Sequence, residues 1–164
     1  MVEGVSSKAC RAPDPNITVN MLNAAMIPSR YAEAENNRGI ALLKLGRAEE
    51  GVRHFRRAIA LQPRLAEAHY NLGLAEAELG DFAAALPYFA ETIRLRPDHV
   101  GAELNSGVAL ALSNRLPEAR PHFERALLLD PESAALRQTY GRVLLNAGEY
   151  EAAVRQLRDA LQLN

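Results

Sequence analysis

The stretch Asn71–Phe89, NLGLAEAELGDFAAALPYF, decides how the rest of the chain is read. Leu72, Ala75 and Leu79 recur at helical spacing, and so do Phe82, Leu86, Phe89 and, just beyond, Ile93. Gly80-Asp81 separates the two patterns. Glycine takes a positive φ at no steric cost, and Asp81 can cap the helix that follows. The segment is predicted as two helices joined by a tight turn. Gly73 and Ala85 sit where a core normally wants bulk. Their smallness lets the two helices approach closely, while Leu72 and Phe89 fill the space alongside.

The same pattern extends outward in both directions. Gly39, Gly73, Gly107 and Gly141 are spaced by 34 residues each time. Gly46, Gly80, Asn114 and Gly148 keep that spacing, as do Phe55, Phe89, Phe123 and Leu157. Pro63, Pro97 and Pro131 form a fourth column, and Gly51, Ala85, Ala119 and Ala153 a fifth. The chain is an array of four units, 32–65, 66–99, 100–133 and 134–164. Proline closes a unit because a helix rarely continues through the residue before it. Pro87 and Pro121 share another column, early in the second helix. Each removes one helical hydrogen bond there, and a slight bend on an outer face is expected.

Leu72-Gly73, Gly80, Ala85, Phe89 and Pro97 resemble the tetratricopeptide repeat signature, and the resemblance runs from Ala32 to the C-terminus. It implies an all-α fold, a right-handed superhelical solenoid of four helix-turn-helix repeats. Departures are local. Glu35, His69, Glu103 and Arg137 stand where the family carries an aromatic, and Thr92 replaces a small alanine. A helical family with a 35-residue period reads RNA one base per repeat, but the period here is one shorter and the basic character is missing. Ahead of the array, residues 1–16 read as a flexible tail and Ile17–Ile27 as a short helix capping the first repeat. At the other end no polar cap follows, although solenoids usually need one for solubility. Val154, Leu157, Leu161 and Leu163 should therefore lack neighbours in part, which opens a route to self-association through the last helix.

Composition narrows the function. The chain has 164 residues, 48% of them hydrophobic, and a formal net charge of −1. That size suits one domain, and that charge argues against steering to nucleic acid or anionic lipid. Apart from Lys8 and Lys44 every basic residue is Arg, which suits carboxylate and phosphate forks or reflects codon preference. Cys10 is alone, so no intramolecular disulfide or thiolate zinc cage can form. Met1–Ala9 has no apolar signal region and no stretch approaches the roughly 20 apolar residues of a membrane span. A cytoplasmic location without membrane insertion is expected. Asn16-Ile17-Thr18 fits a glycosylation sequon that is common by chance. No GxxxxGK[ST], HExxH, GxSxG or CxxC occurs, so no catalytic residue, cofactor or metal is expected. His54 and His122 share a repeat column, and with His69 and His99 they read as surface or rim residues. Glu49-Glu50 sits at a helix start, favoured by the dipole, and Arg53, Arg56 and Arg57 read as a solvated outer stripe.

Function is expected on the concave wall, lined by the first helix of each unit. At 100° per residue, unit positions 2, 5, 6, 9, 12 and 13 share one arc. Asn37, Asn71 and Asn105 form an amide column there, flanked by an apolar strip of Ile40, Tyr70, Leu74, Leu104, Val108 and Leu112. Exposed apolar patches of that extent mark interaction surfaces. Glu33, Lys44, Glu67, Glu78 and Arg142 share the arc and come close to cancelling. Such an amide can pair with a ligand's peptide units or tie neighbouring helices together. The Asn-Leu-Gly run is similar to the repeats of O-linked N-acetylglucosamine transferases, whose Asn column holds a substrate peptide's backbone. The clamp that other members use for a chaperone's C-terminal carboxylate is absent. Asn36 and Ile40 stand where its Lys and Asn belong, Gly101 and Asn105 where its Lys and Arg belong. The sequence therefore points to a non-enzymatic scaffold that binds a protein or peptide segment through Asn37, Asn71, Asn105, Ile40, Tyr70, Leu74, Leu104, Val108 and Arg142. The alternatives are a targeting region of a larger glycosyl- or sulfotransferase and a secretion or pilus-assembly chaperone.

Overall fold

A computed structural model describes the backbone of residues 15–163 and the side chains of residues 29–163. Most of the expected tail, Cys10 and the Asn164 terminus lie outside these residues. Eight helices follow one another: α1 (Pro15–Lys44), α2 (Ala48–Leu61), α3 (Ala66–Glu78), α4 (Phe82–Leu95), α5 (Val100–Leu112), α6 (Leu116–Leu129), α7 (Ala134–Asn146) and α8 (Tyr150–Gln162). Among the described residues there is no strand. The helix α1 is continuous, so the segment 17–27, expected as a short helix of its own, runs on unbroken into the first repeat. Whether its side chains cap that repeat lies outside the described residues.

Each helix pair turns in the same way. In the second repeat the Gly80 N–H donates to Ala77 O at 3.0 Å and the Asp81 N–H to Glu76 O at 2.9 Å. This paired closure needs a left-handed residue between the helices. Gly80 supplies it with φ 83°, and in the third repeat Asn114, whose polar side chain tolerates that region, does so with φ 58°. Asp81 then caps α4, its carboxylate accepting from the Ala84 N–H at 2.9 Å. Pro87 and Pro121 lie exposed inside α4 and α6, both of which continue through them.

Close approach within a pair rests on glycine against an aromatic. A Cβ placed on Gly73 would stand 2.6 Å from the Phe89 ring, and one on Gly39 2.5 Å from that of Phe55. Phe55, Phe89 and Phe123 are completely buried, as are Ala85 and Ala119. Leu157 takes the aromatic's place against Gly141 in the fourth repeat, so it packs inside its own helix pair more fully than expected. Val154, Leu161 and Leu163 are exposed.

Pairs stack in chain order, with α3 on α2, α5 on α4 and α7 on α6. The helices α1, α3, α5 and α7 also touch in succession and form one continuous wall. The three stacking junctions are unequal. The backbones of α2 and α3, and of α4 and α5, run close together, whereas α6 and α7 approach at few points.

Candidate functional site

The wall of odd-numbered helices brings the amide column and the apolar strip together. Asn71 donates from Nδ2 to Asn36 Oδ1 at 3.0 Å, and Asn105 from Nδ2 to the Tyr70 hydroxyl at 3.0 Å. Both bonds join positions 35 residues apart, one repeat plus one residue, so each couples a first helix to the one before it. The two amides are thereby held with one end engaged. Among the described residues neither Asn71 Oδ1 nor Asn105 Oδ1 has a partner, leaving two oriented acceptors on the wall. Asn37 is exposed at the head of the column.

Tyr70 is the pivot of this surface. Its ring packs 4.5 Å from His99 and 6.1 Å from Phe89, centroid to centroid. A Cβ on Gly101 would stand 2.7 Å from its hydroxyl, so glycine at that position gives the phenol its place. Burial pushes the hydroxyl's pKa up, partly offset by the bond from Asn105. Tyr70 thus acts as a neutral hydrogen-bonding group at ordinary pH.

The apolar strip is half-buried and braced from behind. Ile40 packs on the cluster of Val52, Phe55, Leu72 and Ala75. Tyr70 and Leu74 rest on Ala85, Phe89 and Ala109, and Leu104 and Val108 on the cluster that contains Leu110, Phe123 and Tyr140. Each side chain therefore has one face in the core and the other available to the groove. Leu112, more than half exposed, extends the strip. Glu67 already pairs with Arg96 at 2.6 Å, whereas Arg142 is exposed. The nine residues named from sequence all stand on α1, α3, α5 or α7, and the structure adds Asn36, His99 and Gly101 as supports.

Two of the four histidines depart from the reading as surface or rim residues, while His99 and His122 are partly exposed. His54 and His69 are buried. His54 Nδ1 lies 2.5 Å from Glu35 Oε2, and His122 Nδ1 lies 2.7 Å from Glu103 Oε2. Both pairs join the first helix of a repeat to its second, away from the groove. The hydrogen bond to His54 holds the Glu35 carboxyl below its ordinary range against the opposing effect of desolvation. His69 Nε2 binds the Pro63 carbonyl at 2.9 Å. A signal existed: Glu35 with His54 and Glu103 with His122 share two columns 19 residues apart. These residues replace the family's aromatic with a polar brace. The outer arginines are exposed as expected, Arg56 binding Glu76 at 3.0 Å and Arg53 lying 3.7 Å from Glu50. Among the described residues no three His, Cys, Asp or Glu side chains gather as metal ligands, and no helix is long and apolar enough to cross a membrane.

Comparison with known proteins bears on this arrangement. The sequence matches the tetratricopeptide repeat family over residues 36–100 and 77–135, and a second profile of that family over residues 110–164. No curated protein matches the chain. Among solved structures, one of MamA superposes with a TM-score of 0.74 at 18% identity, over 93% of this chain and 96% of that one. At that identity the likeness is one of fold. The MamA MSR-1 C2 structure gives 0.70 at 26% identity, over 80% and 76% of the two chains. The second TPR of Spaghetti (RPAP3), bound to the HSP90 peptide SRMEEVD, gives 0.64 at 26% identity, over 66% of this chain and 99% of that one.

Proposed function

The chain belongs to the tetratricopeptide repeat family, and on that footing we propose that it is a binding scaffold that holds an extended protein segment along its concave wall. The observation that carries this reading is the pair of oriented amide oxygens, on Asn71 and Asn105, beside a braced apolar strip. Backbone N–H groups of the segment donate to those oxygens, and Asn37, exposed at the head of the column, offers both a donor and an acceptor. Apolar side chains of the segment rest on Tyr70, Leu74, Leu104 and Val108. Amides read the peptide unit and not its side chain, so the column supplies affinity and register while the strip supplies selectivity. The likeness to the peptide-bound RPAP3 domain supports a peptide-binding role. The absent carboxylate clamp argues for a different class of segment. On this reading the chain binds and does not catalyse.

An array of random heptapeptides probed with the labelled full chain tests the proposal. Wild type should bind a subset rich in apolar residues. The Asn37→Ala/Asn71→Ala/Asn105→Ala variant, shown to be folded by circular dichroism, should lose most of that subset. An unchanged pattern would assign the column to tying helices together.

A further inference from the structure

The groove's charges nearly cancel in sum but not in space. Concave positions of the first two repeats carry Glu33, Lys44, Glu67 and Glu78, whereas in the last two repeats Arg142 is the one formal charge among them. Arg142 is exposed on α7 and pairs with no described carboxylate. Beside it, between the C-terminal ends of α5 and α7, lies a crevice of about 410 Å³ lined by Ala111, Leu112, Asn114, Leu116, Val143, Asn146 and Ala147. Val143 follows Arg142 directly. Asn146 lies one helical turn further on the same face, with its Cβ about 5–6 Å from that of Arg142.

Resting on the peptide-groove reading, we propose that this half of the groove recognises an apolar side chain next to a carboxylate. The apolar side chain enters the crevice between α5 and α7, and a carboxylate one or two residues away pairs with Arg142. The lining contains no charge and two amides, Asn114 and Asn146, so it penalises an ionised side chain by desolvation. The guanidinium presents a planar fork that matches a carboxylate's two oxygens. The spacing agrees as well, since residues two apart in an extended segment lie on one face about 6–7 Å apart. Arg142 occupies the column of Ile40, Leu74 and Val108, one that does not carry the clamp's cations. The carboxylate is an Asp or Glu side chain of the segment.

The heptapeptide array, synthesised in free-acid and amidated halves, tests this directly. In peptides bound by wild type, Leu, Ile, Met or Phe should have Asp or Glu within two positions, in both halves alike. Enrichment confined to the free-acid half would assign the chain end and overturn the inference. Arg142→Gln, an exposed change that spares the core, should weaken these peptides by about two- to fivefold and erase the acid preference while keeping the apolar one. Leu112→Asn should erase the preference for an apolar residue beside the acid while leaving apolar residues elsewhere in the peptide favoured. Peptides selected without any acid preference, or the same selection by Arg142→Gln, would overturn the inference and leave the peptide groove standing. Binding of no peptide at all by wild type would overturn both.

Discussion

The α4–α5 and α6–α7 junctions use the same sequence columns and pack differently. On α5 the face toward α4 is Ala102, Ser106 and Ala109, and on α3 the face toward α2 is Ala68, Leu72 and Ala75, all buried. On α7 the same three columns hold Leu136, Tyr140 and Val143. Tyr140 stacks on Phe123 with centroids 4.5 Å apart and planes at 13°. The larger residues keep the backbones of α6 and α7 apart, and side chains rather than close backbones bridge the gap. Spacing between repeats thus follows the first and third of these columns, since the middle one already holds Leu72 at the tight α2–α3 junction.

The contrast can be broken or sharpened by experiment. The largest effect belongs to the inner repeats. Phe89→Ala removes a fully buried ring and should cost about 3–5 kcal/mol, whereas Leu157→Ala, in the half-buried end repeat, should cost about 2 kcal/mol. Thermal denaturation of both variants checks this, and equal losses would erase the distinction between inner and end repeats. A smaller effect is expected in hydrogen exchange. Amides of α7 and α8 should exchange faster than those of α3 to α6, because fewer close contacts tie the fourth repeat down. Uniform protection would show the spaced junction to be as strong as the tight ones. The smallest concerns the polar brace of the first repeat. Because the Glu35 carboxyl is lowered when folded, its contribution is complete above the unfolded value and is lost as pH falls through the lowered one. Wild type should therefore lose melting temperature below about pH 4 more steeply than Glu35→Gln. The difference should be slight, because Glu35 keeps some solvent exposure.

The helix order and the glycine–aromatic contacts were legible because they repeat at one spacing, and each column needs only its own periodicity to be read. That the candidate residues stand on the odd-numbered helices was legible for the same reason. The bonds from Asn71 to Asn36 and from Asn105 to Tyr70 were not. They join residues one repeat plus one position apart, an offset that depends on how neighbouring helices tilt. The His54–Glu35 pair was missed by reading each histidine in its own column and not against the acid column 19 residues earlier. The widened junction was readable in principle, since Ala68 and Ala102 give way to Leu136, and Ala75 and Ala109 to Val143. Those columns face the neighbouring repeat, and their meaning emerges only once the stacking order is known.

The claim that the amide column holds a ligand's backbone is tested most directly by titrating one array-selected peptide against single and triple variants. Each of Asn37→Ala, Asn71→Ala and Asn105→Ala removes a net hydrogen bond of about 0.5–1.5 kcal/mol, so each should weaken binding by less than roughly tenfold. The three positions lie one repeat apart and form no bond with one another, so the losses should accumulate in the triple variant. Wild-type affinity in a folded triple variant would contradict the account and leave the column a purely structural tie between helices.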